Sequence, residues 1–291
     1  MIDTIQSADG RRLAYAQWGD SDGRPVFFLH GTPGCRLDRP ERERRLREVG
    51  VRAVTYDRPG YGASDRHRGR CVADCAGDVR VIADALGLDQ FAVVGRSGGG
   101  PHALAVAAGL PERVTRSQCH VGLAPYPAEG LDWLAGMDPE NVKEINWALE
   151  GEDRLFAELG REAAEAQVRV AADPASLLEG FELPAADLVL LQDPEVQQVM
   201  REAMAEMFVH GVAGWVDDDL SFVTGWGVDL ESITVPVEVR FGASDVLVPA
   251  SHGDWLAAHL PGATAAVETG KGHVGDPDEM IEHLRRAAYG D

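Results

Sequence analysis

The sequence is short of lysine: Lys143 and Lys271 are the only two among its 27 basic residues. That bias matches a GC-rich bacterial genome and carries no mechanism. Positive charge as a whole is scarce, with a formal net charge of −21, which argues against nucleic acid or an anionic membrane surface as partner. The four cysteines, Cys35, Cys71, Cys75 and Cys119, form no C-x-x-C pair. A zinc or disulfide framework is therefore excluded in favour of reduced, packing thiols, with Cys71 and Cys75 read as one helical turn apart. No hydrophobic run approaches a membrane span, and residues 1–7 lack the basic and apolar regions of a secretory signal. A cytoplasmic protein is expected. Both G-x-G-x-x-G and a Walker-type Gly-Lys-Ser/Thr are missing, so no dinucleotide or nucleotide cradle is expected, and no cofactor or metal.

What remains is ordinary globular material: 291 residues, 45% hydrophobic and 26% charged, enough for one large domain or a core carrying an insertion. Its organising stretch is Phe91-Ala92-Val93-Val94-Gly95-Arg96-Ser97-Gly98-Gly99-Gly100. A buried strand stops at Gly95, and a helix follows from Pro101 through the alanine-rich 103–108. Between them lies G-x-S-x-G. A strand turning sharply into a helix strains the central residue and exposes its side chain, and the residues two before and two after must be small. Gly95 and Gly99 meet that demand and Ser97 is presented. A plain structural turn with an idle serine is the competing reading of these five residues.

Along the chain, 2–7 and 11–18 read as a hairpin about Asp9-Gly10. Strands follow at 26–29 and 51–56, with a charged helix at 36–48 between them. Asp57-Arg58-Pro59-Gly60-Tyr61-Gly62-Ala63-Ser64-Asp65 reads as a rigid polar loop, 71–86 as an amphipathic helix and 114–123 as a strand. Strands separated by helix-length segments mean a mostly parallel α/β sheet with helices on both faces. From 124 to 228 the pattern turns helical and acidic, with breaks at Pro139, Pro174, Pro184 and Pro194. Trp133, Trp147, Phe156, Leu159, Leu177, Leu178, Phe181, Met200, Met204, Met207 and Phe208 are its core candidates. Residues 124–229 hold five Lys/Arg against 23 Asp/Glu, a balance of −18 that reads first as solvated helix faces. Strand and helix alternate again at 235–241, 250–260, 265–268 and 277–288. The domain reading is a core of 1–123 and 229–291 with an inserted helical cap at 124–228.

A serine hydroxyl needs a base, and the base needs a third group to fix its tautomer. Asp245 follows the strand ending at Phe241-Gly242, and His273 follows the next strand on Thr269-Gly270-Lys271-Gly272. In a parallel sheet, residues after strands gather at one edge, so Ser97, Asp245 and His273 can converge. An oxyanion would be held by the backbone N–H of Gly98 and of Thr32 in the loop after 26–29. His30 is read as bracing that loop, and Arg96 as pointing away from the pocket. His102 and His120 can approach the sheet edge, whereas His67, His210, His252, His259 and His283 read as loop or helix surface. Substrate choice is assigned to the cap and to Cys35 and Arg36.

These motifs resemble the α/β-hydrolase fold family over nearly the whole chain: His30-Gly31-Thr32-Pro33-Gly34, Asp57 to Ser64, Gly95 to Gly99, Gly242-Ala243-Ser244-Asp245 and Gly272-His273. The resemblance implies a nucleophile at Ser97, base at His273, acid at Asp245 and a cap at 124–228. Epoxide hydrolases and haloalkane dehalogenases of this fold carry aspartate where Ser97 stands. The His-Gly-x-Pro-Gly loop and acidic cap are similar to proline iminopeptidases, which have tryptophan where this chain has Gly98. Carbon–carbon hydrolases and cofactor-free haloperoxidases share the triad, and some ligand receptors keep the serine site. A serine hydrolase of small esters or related acyl compounds is expected, acting on a small molecule, with a homodimer compatible with the sequence.

Overall fold

A computed structural model describes residues 2–37, 40–173, 176 and 180–290, the side chains of 40–42 excepted. The break at Pro174 and the apolar positions Leu177 and Leu178 lie outside the described residues. Eight strands are present among them: β1 (Asp3–Gln6), β2 (Arg12–Gly19), β3 (Arg24–Leu29), β4 (Val51–Tyr56), β5 (Phe91–Arg96), β6 (Val114–His120), β7 (Val237–Gly242) and β8 (Thr264–Glu268). They form one sheet in the order β1-β2-β4-β3-β5-β6-β7-β8. The hairpin β1–β2 and the β2–β4 pair are antiparallel, and every other pair is parallel. The carboxyl ends of β3, β5, β6, β7 and β8 therefore share one edge.

Helices cover both faces because alternate strand residues are apolar in both directions. Val26, Ala92 and Val94 pack with Leu46 of α1 (Pro40–Glu48) and with Met280, Ile281 and Leu284 of α10 (Pro277–Tyr289). Their neighbours Phe27 and Val93 face the opposite layer, where α2 (Cys75–Ala85) and α3 (Gly99–Gly109) contribute Val79, Ile82 and Leu104. α9 (Ala250–His259) lies against β7 and β8. Before α2 the chain makes a 3₁₀ turn at Val72–Asp74, and Asp74 Oδ2 accepts the Cys71 N–H at 2.8 Å. Cys71 consequently stands outside the helix, and the two cysteines are not one α-turn apart as expected.

Between β6 and β7 the structure holds α4 (Pro139–Glu150), α5 (Glu152–Ala172), α6 (Ala185–Leu190), α7 (Pro194–Met207) and α8 (Ala213–Val223). Trp133, Trp147, Leu159, Met204, Met207 and Phe208 are buried there. Phe156 is 41% exposed instead. It follows Leu155, which faces the core, so the helical step of about 100° turns Phe156 outward, where the Arg66 guanidinium covers its ring. The acidity is not all solvated: Asp138, Glu158, Asp187, Asp217, Asp218 and Asp219 are buried. The polar loop after β4 is buried, with Asp57, Arg58 and Tyr61 at most 1% accessible.

The turn after β5 leaves no room for side chains. A Cβ on Gly95 would lie 2.0 Å from the Gly99 carbonyl oxygen, and one on Gly99 would lie 2.2 Å from that of Leu29. Both obstacles are backbone, which yields little. Gly95→Ala and Gly99→Ala should each destabilise the fold by about 1–3 kcal/mol or more, read as a lowered urea midpoint at unchanged m-value.

Candidate active site

Ser97 sits on that turn in the left-handed region, at φ 53°, strained for a residue with a side chain. Its N–H donates to the His120 carbonyl at 2.8 Å, and its own carbonyl accepts from Gly100 at 2.8 Å, pinning the turn from both sides. The serine hydroxyl is thereby presented at the carboxyl edge of the sheet.

Asp245 and His273 arrive at the same edge. The turn after β7 places Asp245 so that its Oδ1 accepts the N–H groups of Leu247 and Val248, each at 2.9 Å. Its Oδ2 lies 2.8 Å from His273 Nδ1, and His273 Nε2 lies 3.0 Å from Ser97 Oγ. A carboxylate can only accept, so the network assigns the proton to Nδ1 and leaves Nε2 free to take the serine proton. The three residues singled out in the sequence are brought together in one hydrogen-bonded row. Such a row can activate a hydroxyl for attack on a carbonyl.

Thr32 and Gly98 face each other beside Ser97: a Cβ on Gly98 would lie 2.1 Å from Thr32 Oγ1. Gly98 is the N-cap of α3, where backbone amides are unclaimed by the helix. The Thr32 hydroxyl donates to Asp218 at 2.7 Å, which fixes the loop. His30 braces it as expected: Nδ1 donates to the Gly31 carbonyl at 2.7 Å and Nε2 accepts the Arg58 N–H at 3.3 Å. Burial and the Arg58 charge hold His30 well below the usual histidine range, so it stays neutral.

Several expectations need correction. Arg96 does not simply point away, because its guanidinium reaches the His273 backbone carbonyl. Cys35 and Arg36 are buried outside the cavity, and Arg36 pairs with Asp57 and with Glu206 of α7. His252 is fully buried, not on a helix surface. It accepts the Ala124 N–H and donates to the Trp133 carbonyl, tying the start of the helical segment to α9.

Above Ser97 opens a cavity of about 710 Å³, roofed by α4, α5, α7 and α8. Phe181, Met200, Met204, Phe208 and Phe222 give it an apolar wall. Five carboxylates line it, Glu140, Glu144, Glu162, Glu165 and Asp219, against the cations Arg96, Lys143 and Arg169. Burial raises Glu144, and burial together with the Glu144 charge pushes Asp219 well above the usual carboxylate range. The pair therefore retains a proton where isolated carboxylates would have lost theirs. Trp215 Nε1 donates to Glu144 at 2.8 Å, and Glu144 and Asp219 hydrogen-bond to each other through the proton the pair keeps.

Asp218, its neighbour, was not singled out in the sequence. It is fully buried and accepts from Arg58 and Arg70, each at 2.6 Å, and from Tyr61 at 3.0 Å. The signal that could have found it is three consecutive aspartates flanked by Trp215 and Val216 on one side and Leu220 and Phe222 on the other. Solvated acids seldom sit between residues of that kind. Among the described residues no group of three or more His, Cys, Asp or Glu is arranged to hold a metal ion, and no helix is long and apolar enough to cross a membrane.

Comparison with known proteins gives a match to the alpha/beta hydrolase fold family model over residues 24–275. A non-heme chloroperoxidase of Streptomyces lividans is 28% identical over 96% of this chain and 93% of that protein. A proline iminopeptidase of Xylella fastidiosa (strain 9a5c) is 35% identical over 95% of this chain and 91% of that protein. Among solved structures, a hydrolase from Pseudomonas aeruginosa PA01 superposes with a TM-score of 0.70 at 21% identity, covering 100% of this chain and 98% of that one. This last likeness speaks for the fold.

Two outcomes follow from the buried acids. Removing Asp218 strands two buried guanidiniums, so Asp218→Ala should cost about 3–5 kcal/mol in denaturant unfolding. Asp219 behaves oppositely. As pH rises from the ordinary carboxylate range toward its raised native value, the unfolded chain releases its proton first and native stability falls. Asp219→Asn should therefore be more stable than wild type at pH 8, with the advantage shrinking below pH 4, as followed by thermal unfolding across pH.

Proposed function

Since the chain belongs to the alpha/beta hydrolase fold family, we propose that it is a serine hydrolase cleaving small ester or related acyl substrates through an acyl-enzyme on Ser97. The observation that carries this reading is the row Ser97 Oγ, His273 Nε2, His273 Nδ1, Asp245 Oδ2, with heavy-atom separations of 3.0 and 2.8 Å. Ser97 Oγ attacks the substrate carbonyl as His273 Nε2 takes its proton, and Asp245 steadies the imidazolium. The oxyanion is held by the backbone N–H groups of Thr32 and Gly98. His273 gives the proton to the leaving alkoxide, then takes one from the water that attacks the acyl-enzyme, and Ser97 recovers it when the acid departs. The helices within 124–228 act as a cap over the core of 1–123 and 229–291, and their cavity wall selects the acyl group.

One observation favours a second reading, in which the acyl group carries a free amine. The Glu144–Asp219 pair keeps a proton in a cavity with more carboxylates than cations. A bound ammonium would supply the missing positive charge and let both acids ionise. The similarity to a proline iminopeptidase points the same way. A haloperoxidase reading rests on the similarity to a chloroperoxidase and uses the same serine row.

The test is hydrolysis of p-nitrophenyl acetate and of proline β-naphthylamide by wild type, Ser97→Ala and His273→Ala. Each substitution should lower kcat on the order of 10⁵–10⁶-fold with either substrate. Activity of Ser97→Ala within tenfold of wild type would overturn the assignment. Preference for the amide, lost in Glu144→Gln, would select the second reading, and preference for the ester the first.

A further inference from the structure

The ring of His273 is oriented by Asp245, and its carbonyl is held by Arg96 from the end of β5. Both restraints come from the sheet domain. A third comes from the inserted helices. Asp187 of α6, 1% exposed, accepts the His273 backbone N–H on Oδ2 at 2.8 Å; burial raises its protonation range, and the Val274 and His273 amides oppose that rise. Gly272 makes the approach feasible: a Cβ there would lie 2.3 Å from Asp187 Oδ2 and 2.4 Å from Pro184 Cγ.

The helix that carries this carboxylate is otherwise lightly held. It spans six residues, and two of its apolar side chains, Leu188 at 49% and Val189 at 71%, face outward. Leu191, just beyond it, is the buried apolar anchor. The contrast with α8 is large, because there Asp218 locks the helix to Arg58 and Arg70 in a fully buried cluster. α8 is thus fixed, whereas the stretch bearing α6 is attached through Asp187 at the His273 loop and, on either side of the helix, through the Glu182 N–H to Asp138 and the Leu191 carbonyl to Gln197.

Resting on the serine-hydrolase reading, we infer that Asp187 is a positioning residue: from α6 it holds the His273 backbone N–H and so helps present the imidazole to Ser97, and without it His273 loses one of the three contacts named above. Misplacing a reacting group by about 1 Å can cost roughly a hundredfold in rate, so a partial loss of restraint should be visible in kcat.

The experiment measures fluorophosphonate labelling of Ser97, kcat and KM for p-nitrophenyl acetate, and amide hydrogen exchange in a peptide spanning 272–274, on the full chain. Asp187→Ala should label and turn over about tenfold more slowly, with KM within about twofold and exchange in that peptide accelerated. Asp187→Asn, whose amide oxygen can still accept the His273 N–H, should recover most of the rate. Gly272→Ala pushes on the same contact from the other side. The double variant Asp187→Ala/Gly272→Ala should be no slower than the worse single, because both act through one contact. Wild-type labelling rates in Asp187→Ala and Gly272→Ala, or losses that multiply in the double variant, would overturn the inference. Unprotected amides at 272–274 in the wild type would do so without any variant, should Asp187→Ala fail to fold. Absence of labelling in the wild type would instead bring down the serine-hydrolase reading itself.

Discussion

One buried carboxylate holds the two halves of this molecule in register. Asp218 is removed from water, a costly state for an ion unless its partners are close and well aimed. Burial alone would raise its protonation range, but Arg58 and Arg70 outweigh that and keep it ionised. Arg58 also binds the carbonyls of His30 and Gly31, so the same guanidinium that neutralises α8 shapes the loop bearing Thr32. The Thr32 hydroxyl completes the cluster by donating to the same carboxylate. The loop beside Ser97 is therefore built jointly by the sheet and by the inserted helices.

Around that fixed point the structure divides its tasks. The sheet edge supplies Ser97, Asp245 and His273, each just past a strand end, and the strained Ser97 sits between glycines at which a Cβ would press on backbone. The inserted helices supply the wall of the cavity and most of its charge. They also reach down to the site at two aspartates, Asp218 beside Thr32 and Asp187 behind His273. A roof that merely covered a finished site would need neither contact. In the proposed chemistry the cap helps to build the machinery it encloses.

Much of this was legible in the sequence for reasons that can be stated. The strand at Phe91–Arg96 and its glycine turn follow from β-branched residues and steric demand within ten positions, and the strand-following placement of Asp245 and His273 follows from parallel topology. Those signals are local or topological, and the structure brings the three residues together. What the sequence concealed depends on partners far along the chain. The three aspartates at 217–219 hint at burial, but which of them is held, and by what, is decided by Arg58 and Arg70, about 150 positions away. His252 looks like a surface histidine until Trp133 and Ala124 claim both ring nitrogens. Arg96 was assigned away from the site on the direction of its turn, but a long side chain can return, and it reaches the His273 carbonyl. Charge counting likewise failed within 124–228, because it cannot tell a solvated carboxylate from one buried against a guanidinium.

The most direct measurement is a crystal structure of the protein reacted with a small alkyl phosphonofluoridate. The expected result is phosphorus bonded to Ser97 Oγ, with the phosphoryl oxygen about 2.7–3.1 Å from the backbone nitrogens of both Thr32 and Gly98. An adduct on another residue, or a phosphoryl oxygen directed away from those two amides, would contradict the proposed chemistry at its root.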